Sequence, residues 1–190
     1  MSFDERRLRL LLVAALVLVG AGLWAFVLRG SDGPADPALG PLVAAVPGSP
    51  ERVLLEGFDE IAIQVDPGDG TATLSWCLLA ALEAQQRARG LMEVTDLQGY
   101  EGMVFVYPED VENGFYMRST PTPLSIAWVA ADGEVVTIKD MEPCEDRDGC
   151  PTYPSDGRYR YAIEVFQGDL PRLGITEDAT VTVGGSCAPV

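Results

Sequence analysis

Five polar side chains, Arg87, Glu101, Tyr116, Arg118 and Thr120, supply donors, acceptors and charge that suit a pocket for a small anionic or polar ligand, with Arg118 as its charged anchor. The plainer reading pairs Arg87 and Arg118 with carboxylates such as Glu83 or Glu101 across the surface of a sheet. Met92, Met103 and Met117 lie in three separate blocks near that set, and gathered thioethers outside the cytoplasm would bind Cu(I). Filling an irregular core beside Phe105, Phe115 and Trp128 accounts for the same three methionines. Asp146, Asp148 and Gly149, with Glu142 and Glu145, echo the start of a calcium loop, but the loop closes at Cys150 with no distal bidentate glutamate. That segment reads as a solvated charged loop, and Asp66 and Asp69 in DPGDG read as turn residues.

Of the 190 residues 29 are acidic, 13 are Lys or Arg and none is His, giving a formal charge of −16. Without His there is no Ser-His-Asp or Cys-His pair, no imidazole base and none of the usual His-containing zinc or copper sites. Nucleic acid is also excluded, because phosphate binding releases counterions from Lys and Arg, and Lys139 is the one lysine. Carboxylate-dependent hydrolysis remains open, although nothing marks a catalytic pair among so many acids. No cofactor is implied.

Residues 10–28 form an uncharged run of 19, dense in Leu, Val and Ala. As a helix it reaches about 28 Å, close to the hydrocarbon thickness of about 30 Å. Arg6, Arg7 and Arg9 precede it, so the positive-inside rule puts residues 1–9 in the cytoplasm and the rest of the chain outside, as a single-pass signal-anchored membrane protein. A cleaved signal is the rival, but the run exceeds the usual apolar core of one and no A-x-A site closely follows. Residues 29–50 read as a linker, with five prolines and four glycines in 30–50. Residues 1–30 hold four arginines and two acids, which leaves 9 basic and 27 acidic side chains beyond them, a formal −18. That acidity keeps an exposed domain soluble and away from anionic headgroups.

Four cysteines agree with an oxidising location. Cys144 and Cys150 enclose the short loop CEDRDGC and are the natural pair, which leaves Cys77 for Cys187. A zinc site fits poorly with a five-residue gap and no His.

The domain at 51–190 is mostly β in pattern. Strands are expected at 61–65, 71–79, 102–107, 115–117, 124–130, 134–140, 159–166 and 179–183, with a tight turn at Asp132-Gly133. A short helix is expected over 80–89, ending at Gly90, and one helical turn over 169–173. This predicts a mainly β (α+β) fold, a compact barrel or sandwich with one or two short helices, behind one N-terminal transmembrane helix.

The blocks RARGLM at 87–92, EGMVFVYPE from Glu101, GFYMRSTPTPLSIAWVAADGEVVTI over 114–138, CPTYPS and RYAIEVFQGDL resemble the prokaryotic family called domain of unknown function 192 (DUF192). The likeness covers about residues 60–185 and keeps the family's order and spacing. The family's Phe-Trp-Met-Lys-Asn-Thr stands here as Phe115, Tyr116, Met117, Arg118, Ser119 and Thr120, and its Pro-Leu-Asp-Ile as Pro123, Leu124, Ser125 and Ile126. Three polar positions therefore depart from the pattern, at Arg118, Ser119 and Ser125. The resemblance implies a small β-rich fold, often exported or anchored, with no established activity. The expected function is a non-enzymatic module at the cell envelope that binds a small ligand or an envelope protein, the alternatives being a carboxylate-dependent hydrolase and a Met-based Cu(I) binder.

Overall fold

The computed structural model describes residues 51–147 and 149–188. The segments expected at 1–9, 10–28 and 29–50 lie outside them, as does Asp148 of the acidic loop. No helix among the described residues is long and apolar enough to cross a membrane.

The domain is built on one seven-stranded sheet. Its strands are β1 (Asp59–Asp66), β2 (Leu74–Ala81), β3 (Met103–Val111), β5 (Leu124–Val129), β6 (Val135–Met141), β8 (Tyr159–Phe166) and β9 (Thr180–Val183), in the order β6-β5-β8-β3-β2-β1-β9. A separate pair joins β4 (Phe115–Tyr116) to β7 (Thr152–Tyr153). Neighbours are antiparallel except β2 and β3, which run parallel and therefore need a crossover. That crossover carries α1 (Ala84–Arg89).

Period-2 alternation buries both faces of the sheet. Met103 and Phe105, Leu124, Ile126 and Trp128, and Ala162 enter one apolar layer together with Phe115, Met117 and Tyr159. Val104, Ala127 and Val129, and Ile163 and Val165 enter the other, which is plugged by the 3-10 turn Leu170–Leu173. The expected barrel does not close. The edge strands share no ladder and meet at one bridge, Glu134 to Thr180, beside which the Val181 N–H donates to Gly133 O at 2.8 Å.

Three local expectations shift for identifiable reasons. Ala80 and Ala81, good helix formers, belong to β2, because Ala80 pairs with Asp59 on one side and Val104 on the other and Ala81 pairs with Phe105. The helix begins after Glu83, where Gln86 Oε1 accepts from the N–H groups of Leu82 and Glu83 at 2.7 and 2.8 Å. Thr71 is turn rather than strand, since its N–H and hydroxyl both donate to Asp69 Oδ1.

Both expected disulfides form, with Cα atoms 5.5 Å apart for Cys77–Cys187 and 5.9 Å for Cys144–Cys150. The first ties β2 to the C-terminal tail. Arg52 reinforces the same corner, its Nη2 donating to Ala188 O at 2.5 Å while Nε lies 3.6 Å from Glu60, which also accepts from the Tyr100 hydroxyl at 2.7 Å. Burial and the Glu60 carboxylate push the Tyr100 phenol up to about 12. Chain entropy assigns about 4.8 kcal/mol to a loop this long. Replacing Cys77 and Cys187 together by Ala is expected to lower the unfolding free energy by up to that amount in chemical denaturation. A double variant as stable as the parent would refute the staple.

Candidate functional site

β3 loses its register with β8 between Val106 and Val111. There, with α1 and β4, it walls a cleft of about 470 Å³. Phe105 and Phe115, packed edge to face at 5.0 Å, Tyr107 and Tyr116 supply aromatic surface. Arg87 and Ala88 contribute from α1, Glu109 from β3, and Thr120 from the loop after β4. Gly90, at the end of α1, is favoured by its φ of 49°, and a Cβ there would also press on the Phe105 ring at 3.1 Å.

Glu164 of β8 also lines this cleft. Its residue is only 4% exposed, and it is flanked by Met103 of β3 and Ile126 of β5. Its carboxyl makes no hydrogen bond and no ion pair among the described residues. Burial alone pushes it up to about 8, which favours the uncharged form at neutral pH. An uncharged carboxyl both donates and accepts one hydrogen bond, whereas a carboxylate only accepts.

The cations near the cleft are already engaged. Arg87 Nη1 donates to Val106 O at 2.8 Å and to Leu82 O, and its guanidinium lies 5.0 Å from the centroid of the Tyr107 ring. Arg89 donates to Glu56 O at 2.8 Å and stacks over Phe58 at 4.9 Å. Burial raises the Tyr107 phenol above its ordinary range, and Tyr159 more strongly still. Tyr159 stands edge-on to Tyr107 at 5.5 Å and donates to Asn113 O at 2.7 Å, which fixes the wall from behind.

Of the residues singled out in the sequence, Arg87, Tyr116, Thr120 and Met92 meet at this cleft. Arg118 and Glu101 do not line it. Arg118 pairs with Asp146 at 2.8 Å, which fastens the turn after β4 to the acidic disulfide loop, and Glu101 accepts from Arg172 at 2.7 Å. Met103 and Met117 are fully buried in the core. Glu60 lies beside Cys77 and Cys187, but those two sulfurs are bonded to each other and are not metal ligands.

A family model for DUF192, described as an uncharacterized ACR, matches residues 68–183. The chain belongs to the DUF192 family. No curated protein matches it significantly. A solved protein of unknown function from Novosphingobium aromaticivorans DSM 12444 is similar at a TM-score of 0.61 and 26% identity, over 75% of this chain and 99% of that one. A candidate transcription regulator from Sinorhizobium meliloti 1021 is similar at 0.57 and 21% identity, over 66% and 95%, a likeness in fold alone.

The three polar departures from the DUF192 pattern lie outside the lining of the cleft, whereas Tyr116, which replaces the pattern's Trp, is part of it. Ser119 adopts a φ of 54°, the left-handed region in which the Asn of the DUF192 pattern is better tolerated than Ser. Ser125 is buried on β5, donating to Asp140 at 2.5 Å and accepting from the Gly168 N–H at 2.9 Å. Sequence reading missed Glu164. The signal was present in RYAIEVFQ, where alternation puts Glu164 on the same face as Ala162 and Phe166, an acid between two apolar neighbours.

Folding raises the Glu164 carboxyl from 4.5 to about 8, so the native state holds a proton that the unfolded chain releases between those values. The associated stability is complete below the lower value and is lost as pH rises through the upper one. In denaturant titrations between about pH 5 and 9, the parent should lose stability relative to Glu164→Gln by at most about 1.4 kcal/mol per pH unit. Parallel pH profiles for the two proteins would sink the assignment.

Proposed function

We propose that this DUF192 protein is a membrane-anchored, extracytoplasmic binding module whose cleft takes a small polar ligand. The observation that carries the reading is Glu164, a residue only 4% exposed whose carboxyl has no protein partner and lines an aromatic-walled cleft of about 470 Å³, within the size range of small-molecule sites. The uncharged run at 10–28 and its flanking arginines support the anchor, and the two disulfides support an oxidising compartment. An acidic outer segment with one lysine supports a partner other than nucleic acid.

The intact chain should stay in the membrane fraction through an alkaline wash, and protease added outside the cell should remove the domain. Release by the wash, or protection from that protease, would refute the anchor. In a thermal-shift screen of small polar molecules on the full-length protein, ligands that use the cleft should stabilise the parent and not Ala88→Trp, which fills the cleft mouth from an exposed helix position. Hits that stabilise both equally would move binding elsewhere.

A carboxylate-dependent hydrolase is the second reading, favoured by one observation: buried Glu164 and exposed Glu109 line the same cleft, as an acid and a carboxylate of unequal environment do in such enzymes. Turnover of an aryl glycoside by the parent, abolished in both Glu164→Gln and Glu109→Gln, is the expected result for that reading; no turnover by the parent would end it.

A further inference from the structure

We infer that the cleft beside α1 takes an uncharged, hydroxyl-bearing ring, a saccharide in chemical class, with one ligand hydroxyl on the Glu164 carboxyl and the ring face against the aromatic wall. The inference rests on the binding reading above and narrows it to a ligand chemistry.

Three observations favour a neutral ligand over a charged one. Arg87 and Arg89, the cations of the cleft lining, are held in place by backbone carbonyls through Nη1 and by the Tyr107 and Phe58 rings, which reduces what they present to an anion. Beyond residue 30 the chain carries a formal −18, which repels anions during approach. Burial between Met103 and Ile126 disfavours the charged form of Glu164, so of the two acids that line the cleft only the exposed Glu109 offers charge to a cation.

Two further observations select hydroxyls on a ring. The Glu164 carboxyl has no protein partner and meets the cleft, so a ligand seated there takes the place of water on it. An alcohol hydroxyl donates and accepts, so it complements both halves of an uncharged carboxyl, which a carboxylate or an ammonium group cannot do. Tyr107 and Tyr116, backed by the buried Phe105 and Phe115, present aromatic surface in the same cleft, against which the apolar C–H face of a sugar ring can pack. Tyr116 is 47% exposed, so the platform is open at the surface and can be covered by a ligand.

The test is saturation-transfer NMR on the full-length protein, in a detergent without a sugar headgroup, with glucose and N-acetylglucosamine as probes and acetate and phosphate as anionic controls. Sugar signals are expected from the parent, lost in Ala88→Trp and absent for both anions. Glu164→Gln keeps a donor and an acceptor and should retain affinity within about threefold, while Glu164→Leu, which substitutes an apolar side chain of similar size, should weaken it by about tenfold or more. Each variant is first checked for its folded near-ultraviolet spectrum. Binding of the anions without the sugars would overturn the saccharide and leave the binding module standing. A loss in Glu164→Gln as deep as in Glu164→Leu would overturn the uncharged role of Glu164. Sugar binding unchanged in Ala88→Trp, or no sugar binding by the parent, would overturn the proposal, and the thermal-shift screen then decides separately whether the cleft binds anything else.

Discussion

The structure turns on the position of β8 in the middle of its sheet. Antiparallel ladders to β5 and β3 flank it on both sides, and apolar layers cover both faces, so side chains at its centre have no route to water except through the cleft. Placing a carboxyl there costs on the order of a few kcal/mol if it is to ionise, and the protein keeps it protonated instead. The surrounding packing makes this tolerable. Trp128, Tyr159, Phe105 and Met103 are almost completely buried around the same layer, and their burial sets the apolar character that Glu164 experiences. Gly102, just before β3, completes the arrangement, because any Cβ at that position would lie 2.3 Å from the carbonyl oxygen of Glu164.

The two disulfides hold opposite sides of this frame. Cys144 accepts pairing from the segment 117–120, its N–H donating to Met117 O at 3.2 Å, and Arg118 crosses to Asp146 of the same loop. That ion pair is half exposed and contributes at most about 1 kcal/mol by itself. Its value is geometric, since Thr120 on one side of the turn reaches the cleft while Arg118 is drawn away from it. Cys77–Cys187 works at a distance, holding the C-terminal tail beside β1 and β2, where Arg52, Glu60 and Tyr100 form a compact polar group.

Charge is distributed with similar economy. An acidic, His-free surface removes most nucleophilic and metal chemistry, and inside the cleft the arginines serve the backbone. What is left to act on a ligand is mostly hydroxyls, aromatic faces and the Glu164 carboxyl, with Glu109 exposed in the same lining. A cleft of this kind discriminates by hydrogen-bond complementarity and shape more than by Coulomb attraction.

Much of this was legible in the residues themselves. Alternation located most of the large strands, Asp132-Gly133 marked its turn, the cysteine spacing gave both pairs, and several blocks in order gave the family, because each of these signals is local or counted along the chain. Three of the five polar candidates converge for the same reason, lying in elements adjacent to α1 and β4. Other features were decided only in three dimensions. Ala80 and Ala81 left the helix for a strand because two neighbouring strands claimed them, the two-residue β7 exists because β4 is opposite, and Arg118 left the cleft because an acidic loop closed beside it. Glu164 shows the division most plainly: its alternation fixes which face it occupies, but its burial, its missing partner and its proton depend on which strands flank β8 and on the layer above it. Periodicity encodes a face, and only long-range pairing decides what that face meets.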